Sequence, residues 1–401
     1  MWWACQRPAR YAVKRAVSIF CVAGEASGDA SCAALVQTVR ERLPNAHFWG
    51  VGGRLMAKAG VQLLYDSSRW GAVGVVEALR VAPALWLAQQ NLKRRLAQQP
   101  PDLMVLVDFG AFNVPLAKWA KARGIKVFYY FPPGSWRRYL PRRNDLPHCT
   151  DCIVTPFPWS AALLRQAGAN AHFVGHPLLD RVKPSLSEEQ FCHKLHLNAE
   201  SLRVGLLPGS RRQEVRLLLP IMRRAAELLA ERKPGAQFVL ALAPSVRDEE
   251  VQHALAGCAV PCRIAREMAY DVMAYSHLLW CCSGTATLEA AILGTPMIIL
   301  YRVSRLMELE YHVRKRALNL TFIGLPNLIA QRGICPELLQ HAATPQNIVA
   351  HSLNLLPGTE GHRLQREALQ EVKSVLGEPG ATDRAAHLLL KCLEVNHADP
   401  R

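Results

Sequence analysis

No run of apolar residues in this 401-residue chain is long enough to cross a bilayer as a helix. The longest stretch without a charged side chain, Leu338 to Thr359, is interrupted by Gln340, His341, Pro345, Gln346 and Asn347, whereas a spanning helix needs about 20 mainly apolar residues. Low-complexity tracts are also missing, and with 50% hydrophobic and 20% charged residues the chain is globular, with length for two domains. Carboxylates are scarce in the first part: residues 1–150 hold 8 acidic against 21 basic side chains, so they carry +13 of the net charge of +16. That imbalance calls for an anionic partner, which could be nucleic acid, a phosphorylated ligand or an acidic membrane surface. No helix-turn-helix, zinc-finger or single-strand-binding motif accompanies it, so nucleic acid is the weaker explanation.

A metal site lacks its second half. Cys149-Thr-Asp-Cys152 has zinc or redox spacing beside His148, but Cys258/Cys262 and Cys192/His193/His196 are too irregular to complete it, so no metal is expected. The twelve cysteines are scattered, as for buried apolar side chains in a reducing compartment, the cytoplasm. At the N-terminus, Trp2, Trp3, Arg7, Arg10, Lys14 and Arg15 surround too short an apolar run for a signal peptide. Residues 1–15 are read as a basic extension able to touch a membrane interface, or as a plain leader.

What is present is an alternation of short β-rich runs with helical stretches, and it occurs twice. Val17–Ala23, His47–Val51, Leu103–Val107, Lys126–Phe131, Cys152–Thr155 and His172–Val174 form a first set of predicted strands. Leu202–Leu207, Gln237–Ala243, Leu278–Cys282 and Pro296–Tyr301 form a second. The pattern predicts an α/β protein of two Rossmann-like doubly wound domains, with parallel sheets covered on both faces and a cleft between them. The break falls near residue 180: 16–180 as the first domain, 181–380 as the second, 381–401 as a terminal segment that returns to the first domain or does not.

Ligands of such sheets bind beyond the strand ends, so the loops there carry the chemistry. Gly209-Ser210-Arg211 joins a strand to a helix and offers backbone N–H groups, a helix dipole and a guanidinium to a phosphate; no Gly-Lys-Ser/Thr follows, which excludes a Walker A loop. Ser283-Gly284-Thr285 repeats the arrangement, and Glu289, one turn on, is placed to accept from ribose hydroxyls. Two such loops in one domain point to a nucleoside diphosphate. Gly24-Glu25-Ala-Ser27-Gly28-Asp29 follows the first strand with two carboxylates that would repel phosphates, so it is expected to serve a second substrate or the reaction itself. Asp108 ends an apolar strand, where burial would raise its pKa toward general-base duty; an Asx turn or helix cap is the other reading. The stretch Val73–Leu87, with Val75, Val76, Leu79, Leu85 and Trp86, is apolar on more than one helical face and ends in Lys93-Arg94-Arg95. It reads as a membrane or acyl-chain contact, or as a buried helix with a basic end.

These motifs stand in the order of a known family. Val22–Asp29, Gly50-Val-Gly-Gly53, Phe173-Val-Gly-His-Pro-Leu-Leu-Asp180, Leu206–Arg211, Ser283–Glu289 and Leu325-Pro-Asn-Leu328 resemble lipid-A-disaccharide synthases over about residues 16 to 390. The resemblance implies a GT-B glycosyltransferase without metal or cofactor that inverts at the anomeric carbon. It would join UDP-2,3-diacylglucosamine to 2,3-diacylglucosamine 1-phosphate (lipid X), releasing UDP and a β-1,6-linked disaccharide, as a peripheral protein on the anionic cytoplasmic face of the inner membrane. It implies Asp108 as the base, Arg211 with Ser210 and Gly209 at the diphosphate beside Ser283, Gly284 and Thr285, Glu289 at the ribose, Asn327 lining the cleft and Glu25 near the reacting centre. Where the family reads Asp-Ala-Pro-Asp-Phe-Asn this chain has Asp108-Phe-Gly-Ala-Phe-Asn113, and in place of a Trp-Ala-Trp loop it has Phe131-Pro-Pro-Gly-Ser-Trp136-Arg-Arg138. A paralogue with another acyl-sugar acceptor, a UDP-sugar 2-epimerase and a non-catalytic acyl-lipid binding protein are the alternatives, and the oligomeric state stays open.

Overall fold

A computed structural model describes residues 16–67, 70, 75–134, 146–243, 246, 248–303 and 321–394, with the backbone alone at 75–81, 250 and 253. The first of its two sheets contains β1 (Ser18–Ala23), β2 (His47–Gly52), β3 (Gln62–Asp66), β4 (Leu103–Val107), β5 (Val127–Tyr130), β6 (Cys152–Thr155) and β7 (Ala171–Phe173), in the order β3-β2-β1-β4-β5-β6-β7. The second contains β8 (Arg203–Leu207), β9 (Gln237–Leu242), β10 (Cys262–Arg266), β11 (Leu278–Cys282), β12 (Met297–Tyr301) and β13 (Glu337–Leu339), in the order β10-β9-β8-β11-β12-β13. All these pairings are parallel. The central strands are buried along their length, Leu-Met-Val-Leu-Val in β4 and Leu-Leu-Trp-Cys-Cys in β11, because helices cover both faces. Alternate residues serve opposite cores: Ile19, Cys21 and Ala23 face one, Phe20 and Val22 the other.

In each sheet the strand order turns outward in both directions from one central pair, β1/β4 in the first and β8/β11 in the second. Loops leaving such a pair diverge and open a crevice. The registers bring the strand ends level, with Ala23 beside Val107 and Leu207 beside Cys281. Gly24-Glu25 and Asp108-Phe109 therefore leave the first sheet side by side, and Gly209–Arg211 and Ser283-Gly284 leave the second in the same way.

Strands β3, β10 and β13, absent from the expected sets, are edge strands. The first helix also begins earlier than the polar Gly-Glu-Ala-Ser-Gly-Asp sequence suggests: it spans Ala26–Arg42, so Gly28 and Asp29 lie in its first turns and only Gly24 and Glu25 remain as loop. At the other end, the helix Ala381–Glu394 returns to the first sheet. Ala381, Ala385, Ala386, Leu389 and Leu393, spaced at helical intervals, enter the core that holds Ile19, Cys21 and Val105.

Candidate functional site

The second sheet's loops build one pocket. Gly209, Ser210, Arg211, Ser283, Gly284, Thr285 and Glu289 together line a cavity of about 320 Å³, with Gly209 at φ 111° and Gly284 at φ 155° in backbone conformations that favour glycine. The expected phosphate donors are already engaged. Backbone N–H groups of Ser210 and Arg211 donate to Glu214 Oε2 at 3.1 and 3.2 Å, and the Arg211 guanidinium donates to Glu214 Oε1 at 3.0 Å. Glu214 thus puts a carboxylate on the loop's anion-binding groups, accepting from the N–H of Arg211, the residue that precedes the helix Arg212–Arg232. A Cβ at Gly209 would collide with that carboxylate. Glu289 accepts a hydrogen bond from the Tyr270 hydroxyl at 3.0 Å and pairs with the Arg181 guanidinium at 3.6 Å. Burial pushes its carboxyl above the ordinary value, while Tyr270 and Arg181 pull it back.

On the first sheet, Asp108 and Phe109 both adopt left-handed backbone, φ 44° and 43°, a conformation that costs a non-glycine residue roughly 1–2 kcal/mol. Neighbours impose it. Asp108 N–H points at the Tyr130 and Phe131 carbonyls, 3.3 and 3.2 Å away, and its own carbonyl accepts from the Tyr129 hydroxyl at 2.7 Å and the Asn113 amide at 3.0 Å. The fully buried Asn113 also donates to Val107 O at 3.1 Å. The Phe109 ring fills the place where a Cβ on Gly24 would sit, which explains the glycine at the end of β1. Turned this way, the Asp108 carboxyl is largely buried, and its pKa rises from 3.8 to about 6, first through desolvation and then through repulsion by Glu25. The second carboxylate of the Gly24–Asp29 motif has another use: Asp29 is buried and accepts from the N–H groups of Gly53, Leu55 and Met56 at 2.7, 2.9 and 3.1 Å. Asp29 ties the end of β2 to the first helix.

A cavity of about 900 Å³ joins the two halves, lined by Glu25, Ser27, Arg54 and Ser67 from the first sheet's side and by Ser210, Arg211, Glu214, Ser283, Thr285 and Arg302 from the second's. Of the residues singled out in the sequence, Glu25, Ser210, Arg211, Ser283 and Thr285 meet here, and Asp108 stands close enough to Glu25 for the two carboxylates to repel, while Gly209, Gly284 and Glu289 belong to the smaller pocket. Asn327 lines neither. It is fully buried; its amide nitrogen donates to Cys335 O and to Glu337 at 2.8 Å each, and its oxygen accepts from Ile334 and Cys335 N–H at 2.9 and 2.8 Å. Asn327 thus holds the loop after its helix Leu325–Ala330, and through Glu337, which accepts from Ile323 and Gly324 N–H, the loop before it, instead of lining the cleft.

The basic apolar stretch becomes a helix, Val75–Gln98, with Pro83 inside it. Leu85 is partly buried against the core that holds Leu92 and Leu96, whereas Trp86 is 64% and Leu87 54% exposed. The side chains of Val75, Val76 and Leu79, and all of residues 1–15 and 135–145, lie outside the described residues. Among the described residues, no helix is long and apolar enough to cross a membrane. Reading the sequence alone missed the roles of Glu214, Asn113 and Arg181. Glu214 carried no local signal, since the N-cap residue three positions before it is Arg211 and not the Ser or Thr of a capping box.

Comparison with known proteins gives this geometry a family. Residues 19–391 match the family model described as lipid-A-disaccharide synthetase. A lipid-A-disaccharide synthase of Geobacter metallireducens is 38% identical over 94% of this chain and 97% of its own, and one of Nitrosococcus oceani is 37% identical over 93% and 95%. Solved structures share the fold at low identity: a UDP complex of S. aureus MnaA (TM-score 0.61, 13% identity, covering 96% of this chain and 99% of that one), the calicheamicin glycosyltransferase CalG4 (0.62, 13%, 96% and 100%) and Acinetobacter baumannii MurG (0.58, 15%, 94% and 100%). With two doubly wound parallel sheets in the GT-B arrangement and a family match over nearly its whole length, this chain belongs to the lipid-A-disaccharide synthase family and is a glycosyltransferase of lipid A biosynthesis.

Proposed function

We propose that the chain transfers 2,3-diacylglucosamine from its UDP derivative to the 6-hydroxyl of 2,3-diacylglucosamine 1-phosphate, with inversion, giving a β-1,6-linked disaccharide 1-phosphate and UDP. The observation that carries this reading is one cleft lined by the phosphate-type loops and by Glu25, the neighbour that helps raise the basicity of Asp108. Asp108 removes the O6 proton as O6 bonds to the donor's anomeric carbon, and the electron pair of the breaking bond leaves on the diphosphate. A carboxylate with pKa about 6 is about 90% ionised at pH 7 yet a stronger base than an ordinary aspartate. Glu25 contributes by raising that basicity. Arg211 and the amides of its loop, with Ser283 and Thr285, take up charge on the leaving diphosphate once Glu214 moves aside, and Glu289 accepts from the ribose hydroxyls.

Residues 16–180 would hold the acceptor and 181–380 the donor, each pre-orienting one reactant. The exposed Trp86 and Leu87, followed by Lys93, Arg94 and Arg95, suit docking on the anionic cytoplasmic face of the inner membrane, where acylated substrates reside. A mass-spectrometric assay with UDP-2,3-diacylglucosamine and 2,3-diacylglucosamine 1-phosphate tests the reading. Disaccharide 1-phosphate and UDP in equal amounts support it; conversion of the UDP-sugar without acceptor, or binding without product, would overturn it.

A further inference from the structure

Two connections link the halves of the molecule, and they run side by side. Gly175 and Gly377, at φ 87° and 83°, are packed so closely that a Cβ on Gly377 would lie 3.3 Å from Gly175 Cα. The His176 N–H donates to Leu376 O at 2.9 Å. Arg384 ties the same crossing, donating to Val174 O at 2.9 Å, Pro379 O at 2.8 Å and Glu378 O at 2.6 Å. The short helix Leu178–Arg181 emerges here, and its last two residues point to different partners. Asp180 accepts from Gly380 N–H and, at 3.3 Å, from Thr382 N–H, capping the returning helix. Arg181 reaches Glu289 at 3.6 Å, the carboxylate that lines the nucleotide-sized pocket.

We infer that Arg181 is a positioning residue for the donor: held at the crossing by its neighbour Asp180, it keeps the Glu289 carboxylate ionised and aimed for two ribose hydroxyls. The inference deepens the proposed function and rests on its assignment of Glu289 to the ribose. A half-buried Glu tends toward neutrality, and a neutral carboxyl loses much of its strength as a hydrogen-bond acceptor. Tyr270 provides one fixed donor; Arg181 provides the compensating charge from outside the pocket, leaving the carboxylate's inner side to the ligand. Arg181 is 42% exposed, so its truncation leaves the fold intact.

The test is calorimetric binding of UDP and of 2′,3′-dideoxy-UDP to the full chain and its variants. The unmodified protein should prefer UDP by about tenfold, a hydrogen-bond-sized difference. Glu289→Gln should erase the preference. Arg181→Ala should erase most of it too, while leaving dideoxy-UDP affinity within about threefold, and Arg181→Lys should restore part of it. Asp180→Asn, which weakens the anchor without touching the ion pair, should give an intermediate preference.

Equal weakening of both nucleotides by Arg181→Ala would overturn the inference in favour of a direct phosphate contact. An unchanged preference in Arg181→Ala, with Glu289→Gln losing it, would overturn the inference alone. An unchanged preference in Glu289→Gln would overturn the ribose assignment itself.

Discussion

Replacing Asp108 with Asn should remove transfer and at the same time make the protein more stable at neutral pH. Burial and Glu25 hold the folded carboxyl at about 6 against an ordinary 3.8, so between these values the folded state binds a proton that the unfolded chain has released. Stability from this group is therefore greatest below pH 3.8, falls as pH rises toward 6, and stays low above it. Integrated, the ionised carboxylate costs the fold about 3 kcal/mol at pH 7.5 and about 1 kcal/mol at pH 4.5. Asn removes that cost. It is close to isosteric, tolerates the left-handed φ of 44° as Asp does, and keeps the backbone bonds from Tyr129 and Asn113, which go to the carbonyl. Urea denaturation of both proteins at pH 7.5 and 4.5 should show the variant more stable by about 2–3 kcal/mol at the higher pH and by about 1 kcal/mol at the lower. An Asn variant no more stable at pH 7.5, or a gain equal at both pH values, would refute the argument that Asp108 is held as a strained, basic carboxylate.

Three further outcomes are expected. Glu25→Gln should move the acid limb of the kcat/KM profile to lower pH, by less than about one pH unit because desolvation is the larger cause of the Asp108 shift; a limb that stays put would remove Glu25 from the pair. Gly24→Ala should destabilise by about 1–3 kcal/mol through collision with the Phe109 ring, and Gly24→Ala with Phe109→Ala should cost less than the sum of the single changes in a urea double-mutant cycle. Trp86→Ser should weaken sedimentation with anionic lipid vesicles severalfold while UDP binding measured by calorimetry stays the same, since Trp86 is exposed on the first half.

Much of this fold was legible because its central strands are doubly covered. Met104–Val107 and Leu278–Cys282 read as continuous apolar runs, and Asp108 after the first and Ser283-Gly284-Thr285 after the second mark the strand ends. Edge strands gave no such signal. Cys-Arg-Ile-Ala-Arg in β10 faces solvent along most of its length, and β13 is three residues long after Pro336. Ala26-Ser-Gly-Asp29 has turn composition but forms helix, and what fixes it is tertiary: Asp29 accepts from the Gly53, Leu55 and Met56 N–H groups, partners the local sequence does not show.

Site residues were legible as types and less so as partners. Asp108, Glu25, Arg211 and Glu289 could be placed at strand ends from the pattern, but nothing local shows that Glu214 folds back onto the Ser210 and Arg211 amides. Likewise, Asn327 and Glu337 are ten residues apart in a sequence that gives no hint that one satisfies the other. A buried amide's role is set by which backbone groups lack a partner, and that is a property of the assembled loop.

The returning helix Ala381–Glu394 has a consequence for the order in which the molecule can be completed. The core around β1 and β4, made from the earliest strands synthesised, includes Ala385, Leu389 and Leu393, which leave the ribosome after the second sheet is already finished. Chains emerge at about 5–20 residues per second, so the first sheet waits tens of seconds with an open apolar face while the second can close at once. The half that begins translation is the half that finishes folding, and a fragment ending near residue 180 would lack one wall of its own core.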